Sequence, residues 1–367
     1  MQLVYLTSKK YPSSTADHFF VRNMAEVFSK ILSEDFTFIV RQTGPELKSI
    51  NVKVLYAPSR VRTVYYFFSL PFFIFRRHNC SDCFFFSNDP YLLSVLIFWR
   101  KIFGFKYKIC SDWHQIFQDW RDGYIANNSD FLISTSERLK DLIIKKTGLQ
   151  KNKIFVAYGG VDLSKFNPNT DIPNLRKQLN LPLDCILVGY VGFYKTMGMS
   201  KGVDMMIESL RFIPDKKVKM VFVGGKPNEI EEYQSLAIKN GVEDRCIFLG
   251  VVSQELVPKY EQTMDMLVIP YPDKPHFRDW GFPMKVYEYM ASKKPIIYSN
   301  LPIIGEVLED CAISFEPDNP RDLADKIEKF NSEPKEGIDW AEKALEKVKN
   351  FTWQKRAEKI TNFLTRN

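Results

Sequence analysis

The chain has 367 residues, of which 45% are hydrophobic and 26% charged, and it contains 30 phenylalanines and 17 tyrosines. These totals are typical of a globular protein of two or three domains and exclude a disordered or fibrous chain. The formal net charge of +7 is uneven: 23 lysines and arginines accompany 14 acidic residues up to Lys165, and 28 accompany 30 thereafter. The basic first half predicts an anionic partner, whether a membrane, a nucleic acid or a phosphorylated substrate.

Cysteine usage and hydropathy favour the cytosol as the compartment of this chain. The six cysteines are scattered, and only Cys80 and Cys83 form a close pair. A zinc site needs four ligands, so we expect no metal and buried thiols in the cytosol. The chain begins with a strand pattern, Leu3 to Leu6, rather than a signal peptide, and no apolar run approaches the roughly 20 residues of a membrane-spanning helix.

Strand patterns alternate with helical patterns along the whole chain. This alternation predicts parallel strands joined by crossover helices, and therefore doubly wound α/β domains. The prolines near 167–175 mark a linker between an N-terminal domain, 1–166, and a C-terminal domain, 176–350, followed by a terminal helix at 351–367. The strands are predicted at 3–6, 36–40, 52–57, 83–87, 107–111, 131–135, 154–158, 186–191, 218–224, 246–250, 266–270, 295–299 and 312–315.

A basic and aromatic segment spans residues 60–108, which hold eight basic and two acidic residues around a twelve-residue apolar run at 64–75. Basic residues that flank aromatic and aliphatic ones are typical of a segment lying on an anionic membrane. The alternative is a pair of core helices with solvated ends, which Pro71 and the lack of a clear amphipathic pattern leave open. Nucleic acid is the weaker partner, because no binding motif accompanies the charge.

Polar residues follow two of the predicted strands. Asp112 and His114 come at the end of strand 107–111, where side chains of a parallel sheet reach a ligand cleft. His114 could equally be a satisfied structural histidine. Strand 186–191 is followed by Gly192, and Lys201 opens the next helix, an arrangement that brings backbone N–H groups and an ammonium to a phosphate.

A second phosphate-binding pattern follows near the end of the C-terminal domain. Pro283 is predicted as the first residue of a helix, and Lys285 and Glu288 lie in its first two turns. A glutamate there can accept both hydroxyls of a ribose, and the lysine can bind a phosphate. The alternative is a solvated surface pair that contributes only about 0.2–0.5 kcal/mol.

These patterns together resemble GT-B glycosyltransferases, family 4 in particular. The predicted helix that begins at Pro283 matches the P-x-K-x-x-E-Y-M-A variant of their nucleotide-binding signature. The resemblance extends to the glycine–lysine pair at 190–202, the hinge turn at 158–166 and the terminal helix. It implies that this helix crosses back onto the N-terminal domain, and the apolar residues expected on its packed side are Trp353, Ala357, Ile360 and Leu364. It implies two Rossmann-like domains with an interdomain cleft. The residues that match the variant are Pro283, Lys285, Glu288, Tyr289, Met290 and Ala291.

The resemblance implies transfer of a sugar from a nucleotide-sugar donor, with retention of configuration and without a metal. Lys201, Lys285 and helix dipoles would replace the cation, and Glu288 would hold the ribose. His114, with Asp112, would face the transferred sugar. The acceptor would be a lipid-linked or cell-envelope glycan, as in polysaccharide biosynthesis, on the cytoplasmic face of the membrane. The remaining implied donor-binding residues are Gly192, Gly225, Val251, Trp280, Gly281 and Phe282, and the acceptor-side residues are Ser14, Thr15 and His18.

Two departures from the family pattern keep other functions open. Trp280 stands where a first glutamate is usual, and Phe193 stands where an arginine is usual, with Lys195 as a nearby substitute. An epimerase of the same fold would act on the nucleotide sugar alone, without an acceptor. An inert member would bind a membrane or a partner transferase. The donor base, sugar and acceptor are not determined by the sequence.

Overall fold

The structure is a computed structural model that describes residues 1–8, 10–11, 16–43, 52–54, 62–75, 82–167 and 169–366. The chain forms two compact units. The first comprises Met1–Gly159 together with Trp353–Asn367, and the second comprises Gly160–Thr352. Each unit contains one large parallel sheet.

The strands follow the predicted positions closely, because runs of Val, Ile, Phe and Tyr form the buried centre of each sheet. The predicted fold class, two doubly wound α/β units, is confirmed. The described strands are β1 (Gln2–Leu6), β2 (Lys10–Tyr11), β3 (Phe36–Val40), β4 (Gln42–Thr43), β5 (Val52–Val54), β6 (Cys83–Ser87), β7 (Lys108–Trp113), β8 (Phe131–Ser134), β9 (Ile154–Val156), β10 (Ile186–Val191), β11 (Lys195–Thr196), β12 (Met199–Ser200), β13 (Val218–Gly225), β14 (Cys246–Gly250), β15 (Met266–Ile269), β16 (Ile296–Ser299) and β17 (Ile313–Phe315).

Helices connect these strands, and several carry local signals that fix their ends. Asp89 caps the helix at Pro90 by accepting hydrogen bonds from two backbone N–H groups, and Gly104 ends it in the left-handed region. The described α-helices are α1 (Ala16–Leu32), α2 (Arg62–Phe75), α3 (Pro90–Phe103), α4 (Trp120–Asn128), α5 (Glu137–Thr147), α6 (Ile172–Gln178), α7 (Val203–Ser209), α8 (Pro227–Asn240), α9 (Val257–Thr263), α10 (Lys285–Ala291), α11 (Pro302–Leu308), α12 (Pro320–Ser332), α13 (Pro334–Val348) and α14 (Trp353–Arg366).

The first unit has the strand order β5-β3-β1-β6-β7-β8-β9. Tyr5 of the central β1 lies in an aromatic cluster, with ring centroids 5.0 Å from Phe86 and 5.4 Å from Phe38. Phe28 of α1 packs 5.5 Å from Phe86 and covers the sheet. Part of the high aromatic content therefore belongs to a packed core.

Helices α2 and α3 show a pattern that the sequence did not reveal. On α2, Tyr66 and Leu70 are buried, whereas Phe68 and Phe72 are 60% and 75% exposed. The Trp99 indole of α3 donates a hydrogen bond to the Phe67 carbonyl at 2.7 Å and joins the two helices. The segment is thus an amphipathic helix pair with an exposed apolar face. No helix in the described parts of the chain is long and apolar enough to cross a membrane.

The terminal helix α14 packs on α1 within the first unit. Its four apolar side chains predicted to share a face are all buried. Phe363 of the same helix stacks on Phe155 with ring centroids 4.6 Å apart. The four side chains are Trp353, Ala357, Ile360 and Leu364.

The second unit has the strand order β14-β13-β10-β15-β16-β17. One predicted helix start is wrong. The helix predicted from Pro283 begins at Lys285, after a π-helical turn at residues 276–280.

Candidate functional site

Glycines stand at the carboxyl ends of the neighbouring parallel strands β10 and β13. Gly192 and Gly224 have φ of +137° and +110°, a region that L-residues rarely adopt. A Cβ on Gly224 would lie 2.6 Å from the Gly192 carbonyl oxygen, and a Cβ on Gly192 would lie 3.1 Å from Lys285 Nζ. The glycines therefore let the backbone and the ammonium approach the same point.

Lys201 is held near the same sheet edge by a tight junction. A Cβ on Gly202 would lie 1.8 Å from the Pro270 carbonyl oxygen, so only glycine lets this residue pack against the end of β15. The Lys201 backbone N–H donates to the Tyr194 carbonyl at 2.9 Å. Burial lowers the pKa of the Lys201 ammonium to about 8, although the Glu229 carboxylate opposes this shift.

Lys285 is the most unusual side chain of the second unit. It is 7% exposed, and its Nζ has no hydrogen-bond partner among the residues that the structure describes. The Nζ lies 3.4 Å from the centroid of the Tyr190 ring. A cation–π contact stabilises by about 0.5–2 kcal/mol, whereas burying an ammonium costs several kcal/mol. Burial, and then the charge of Lys201, hold the pKa of Lys285 well below its ordinary value.

Glu288 lies one turn after Lys285 and is half-buried. No ion pair within 4.0 Å joins these two residues in the described part of the chain. Burial raises the pKa of the Glu288 carboxyl, and the charges of Lys285 and Lys165 oppose the rise. The alternative of a solvated surface pair is therefore wrong for Lys285, and both groups face a partly water-excluded space.

The π-helical turn at residues 276–280 brings His276 within electrostatic range of Lys201. The Gly281 N–H donates to the His276 carbonyl at 2.6 Å, and a Cβ on Gly281 would lie 2.7 Å from His276 Nε2. Burial, and then the charge of Lys201, lower the pKa of His276. The Trp280 ring is half-buried and lies 6.3 Å from the His276 ring. Neither the π turn nor the nearness of His276 to Lys201 has a signal in the sequence.

The other implied donor-binding residues have different surroundings. Phe282 stacks on Tyr287 with ring centroids 5.3 Å apart. Val251 is 60% exposed just beyond β14. A Cβ on Gly225 would lie 2.3 Å from the Tyr194 ring, so this glycine is required for packing. The roles of these residues towards a ligand stay predictions.

Lys195, the possible substitute for the missing arginine, has its own partners. Its Nζ forms an ion pair with Glu232 at 2.6 Å and lies 5.7 Å from the centre of the Tyr233 ring. It therefore belongs to the β11–β12 hairpin and α8, rather than to the group around Lys285.

The first unit places Asp112 and His114 together with a residue of α14. Asp112 is 2% exposed and accepts hydrogen bonds from Arg356 Nη2 at 2.7 and 2.9 Å, and its Oδ2 lies 3.1 Å from His114 Nε2. Arg356 also donates to the Tyr158 carbonyl at 3.0 Å. Burial opposes ionisation of Asp112, but Arg356 and His114 outweigh it and lower the pKa. Asp112 thus anchors α14, and contact of either residue with a sugar stays a prediction.

The acceptor-side residues cannot be placed in the same way. Ser14 and Thr15 lie outside the described residues, as does the side chain of His18, although its backbone belongs to α1. Across the described ranges, no three His, Cys, Asp or Glu side chains are grouped so that they could hold a metal ion.

Comparison with known proteins shows the fold and a family similarity. The chain has the GT-B fold: HepE of Anabaena, in a crystal structure with UDP-glucose, matches it over 100% of both chains with a TM-score of 0.79 and 17% identity. Residues 171–347 match the family model of glycosyl transferases group 1. The resemblance inferred from the sequence is confirmed at this level.

The relatives that match in sequence do so over only part of the chain. A D-inositol 3-phosphate glycosyltransferase of Xylanimonas cellulosilytica is 28% identical over 156 residues, 40% of this chain and 36% of that protein. TuaH of Bacillus subtilis, provisionally named a teichuronic acid biosynthesis glycosyltransferase, is 24% identical over 208 residues, 56% of this chain and 49% of that protein. The chain spans less than two thirds of the length of these relatives.

Proposed function

We propose that the protein transfers a sugar from a nucleotide-sugar donor to a lipid-linked or cell-envelope glycan. The observation that carries this proposal is the buried Lys285 amino group, whose Nζ has no hydrogen-bond partner among the described residues and lies beside Gly192. A diphosphate would supply the missing counter-charge, and charge-assisted hydrogen bonds to it would offset the burial. The likeness to HepE, whose structure contains UDP-glucose, supports a nucleotide sugar.

The second unit offers a role for each part of such a donor. Lys201 and Lys285 would bind the diphosphate, and Glu288 would accept the ribose hydroxyls. The two ammonium groups would stabilise the leaving diphosphate, the role that a divalent cation plays elsewhere. Trp280 would pack against the sugar in place of the usual carboxylate. Retention of configuration follows the family resemblance.

Binding is tested by thermal shift with UDP, GDP, ADP and their glucose conjugates, because a ligand of the folded state raises its stability. Lys285→Met and Glu288→Ala are expected to weaken the best nucleotide roughly tenfold to a hundredfold, since each removes a hydrogen bond to a charged group worth about 1.5–3 kcal/mol. Lys293→Met is the control, because Lys293 is exposed and pairs with Glu342, away from the proposed site residues. Wild-type affinity in both site variants would overturn the proposal.

Turnover separates the transferase from its two alternatives. Release of the nucleoside diphosphate, slowly with water and faster with a glycan-lipid acceptor, is the expected result. Conversion of the nucleotide sugar to an epimer without release would indicate an epimerase. Tight binding with no reaction would indicate an inert member, an alternative that Trp280 and Phe193 favour because both replace polar residues of the family.

The exposed face of α2 and α3 supports a membrane-bound acceptor on the cytoplasmic side. Phe68, Phe72 and Ile102 are 60%, 75% and 59% exposed, and the exposed Lys101 lies in the last turn of α3. Apolar rings beside basic groups bind anionic lipid headgroups and the acyl boundary.

Flotation with vesicles of phosphatidylglycerol and phosphatidylcholine tests this membrane contact. Wild type is expected to float at low salt and less at high salt, because exposed charges are screened. The double variant Phe68→Glu, Phe72→Glu should not float. Ile338→Glu, at another exposed apolar position on α13, should float like wild type. Absence of wild-type flotation at every salt concentration would contradict membrane binding.

A further inference from the structure

Glu261 is a buried carboxyl group with no evident reason to be buried. It lies on α9, its side chain is fully buried, and neither oxygen has a hydrogen-bond partner in the described ranges. Buried polar groups are nearly always hydrogen-bonded, because an unpaired one keeps its full desolvation cost. A hydrophobic side chain would stabilise the fold better at this position, so the acid points to a role outside folding.

The Glu261 carboxyl lies on a helix that packs against the helix carrying the Lys285 amino group. Helix α9 contacts both α10, which carries Lys285, and β10, which carries Tyr190 beneath the Lys285 Nζ. The two groups interact electrostatically, although no ion pair within 4.0 Å joins them in the described part of the chain. Two buried groups of opposite kind, neither with a hydrogen-bond partner among the described residues, thus lie on neighbouring helices.

Each group is driven towards its neutral form. Burial, and then the charge of Glu288, hold the pKa of Glu261 well above its ordinary value, and Lys285 opposes this. Burial, and then Lys201, hold the pKa of Lys285 well below its ordinary value, and Glu288 and Glu261 oppose this. The pair therefore has two forms with the same number of protons: two neutral groups, or a carboxylate and an ammonium.

Other titratable and charged groups lie around Glu261 and Lys285. On the far side of α9, α6 presents Arg176, whose guanidinium is already bonded to the Thr263 carbonyl and to Asp265. The remaining titratable and charged groups near the pair are Lys201 before α7, Tyr190 on β10, Tyr271 after β15, Glu288 and Tyr289 on α10, and Lys165 near Glu288.

We propose that Glu261 is a positioning residue that stores the proton with which Lys285 binds a nucleotide diphosphate. When the diphosphate binds, the Glu261 carboxyl loses its proton and the Lys285 amine gains one, so that one O–H bond is replaced by one N–H bond. The ammonium then donates to the phosphate, and the Glu261 carboxylate balances its charge. The number of protons bound by the protein does not change. This inference rests on the proposed function, since it needs a diphosphate at Lys285.

The test is calorimetric titration of UDP, or of whichever of UDP, GDP and ADP binds best, in buffers of different ionisation enthalpy from pH 6 to 9. Glu261→Gln cannot store a proton, so its Lys285 must take one from solvent. The variant is expected to take up more protons per bound nucleotide than wild type, by up to one. The ratio of wild-type to variant affinity should rise with pH, by up to about tenfold per pH unit. Lys201 is present in both proteins, and its contribution cancels.

Two further variants separate this role from packing. Glu261→Leu removes the unpartnered oxygens and should raise the unfolding temperature at neutral pH, yet show the same pH-dependent loss of affinity as Glu261→Gln. A carboxyl with a raised pKa favours the folded state only at low pH, so replacing it removes a cost at neutral pH. Glu255→Gln, at an exposed position just before α9, should bind as wild type does.

The possible outcomes distinguish failure of the Glu261 inference from failure of the proposed function. Equal proton uptake and a constant affinity ratio from pH 6 to 9 would overturn the inference while leaving nucleotide binding intact. Unfolding of both Glu261 variants would also overturn it, because the acid would then be required by the fold. Failure of wild type to bind any of the three diphosphates would instead contradict the proposed function.

Discussion

Asp112 and Lys285 are both buried ionisable side chains, yet their surroundings differ in kind. Asp112 accepts two hydrogen bonds from Arg356 and contacts His114, so its charge is matched within the protein. The Nζ of Lys285 lies over the Tyr190 ring and has no hydrogen-bond partner among the described residues. A matched buried charge holds structure together, whereas an unmatched one is costly unless a ligand completes it.

The first prediction concerns Asp112. Asp112→Asn leaves the Arg356 guanidinium buried without a counter-charge, and the free energy of unfolding should fall by about 3–5 kcal/mol. Urea denaturation followed by circular dichroism measures this loss. Asp119→Asn is the matched control: Asp119 also pairs with an arginine, Arg121, but both are partly exposed, so the change in stability should be much smaller.

The same aspartate should contribute to acid unfolding. Its pKa is lowered in the folded state, so the unfolded chain binds a proton more readily, and the stability from Asp112 is present above the unfolded pKa. That stability is lost as the pH falls through the lower, folded pKa. Asp112→Asn should therefore lose this part of the pH dependence. An Asn variant with wild-type stability and acid sensitivity would show that Arg356 does not depend on Asp112.

A second prediction follows from Lys201. Its pKa is about 8 in the unliganded protein, and a bound diphosphate favours the ammonium form. Nucleotide affinity should therefore fall as the pH rises through about 8. Lys201→Met should bind more weakly at pH 7 and show less of this fall. Lys195→Met should keep the wild-type profile, because Lys195 pairs with Glu232. An unchanged profile in Lys201→Met would place the titrating group elsewhere.

Between elements, the junction of β15 and α7 depends on close contact of two backbones. Gly202 has a φ of +88°, and a Cβ there would meet the Pro270 carbonyl. The hydrogen bonds of Ser200 add to this junction: its hydroxyl donates to Asp204 at 2.6 Å and accepts from the Gly202 N–H. The position of Lys201 is thus set by backbone packing around it.

The third prediction tests that junction. Gly202→Ala should lower stability by roughly 1–3 kcal/mol through overpacking and weaken nucleotide binding, because Lys201 must move. Gly198→Ala is the matched control: Gly198 also has a positive φ, +76°, but a Cβ there meets nothing within 4 Å. Thermal unfolding and nucleotide titration of both variants give the comparison. Equal losses in the two would mean that φ strain alone, and not the contact with Pro270, controls the junction.

Helix α2 shows how an element can be misjudged from its residues. Residues 64–75 are apolar almost throughout, so the sequence has no visible amphipathic pattern. In the structure, Tyr66, Leu70 and Ile74 are buried at a spacing of four residues, and Phe68 and Phe72 are exposed between them. An aromatic residue that faces outward looks the same in sequence as one that faces the core.

At the scale of the molecule, the two units have separate cores and separate sheets. The end of the chain returns to the first unit, where Arg356 of α14 holds Asp112 across 244 residues of sequence. The proposed nucleotide-binding residues all belong to Gly160–Thr352. Stabilisation by a nucleotide should therefore begin in that unit.

The fourth prediction uses amide hydrogen exchange to locate the stabilisation that a bound nucleotide produces. A nucleoside diphosphate at a hundred times its Kd stabilises the state it binds by about 2.7 kcal/mol. Protection should increase in β10, β13 and α10, and the sheet of the first unit should change little. The corresponding nucleoside, which lacks the diphosphate, should protect far less. Protection that appears first in β1, β6 and β7 would place the nucleotide in the other unit.

The sequence by itself determined the fold class, the positions of most strands and the grouping of Gly192, Lys201, Lys285 and Glu288. These features depend on local hydrophobic patterns and on short motifs, which are visible along the chain. Helix starts were less certain, because a π turn before Lys285 has no local signal.

Only the tertiary structure decided which charged groups are buried and what they contact. Asp112 meets Arg356, Glu261 comes to lie near Lys285, and Lys195 turns to Glu232, each through elements distant in sequence. Burial and electrostatic matching depend on distances in space and on the exclusion of water, and neither is encoded in the spacing of residues along the chain.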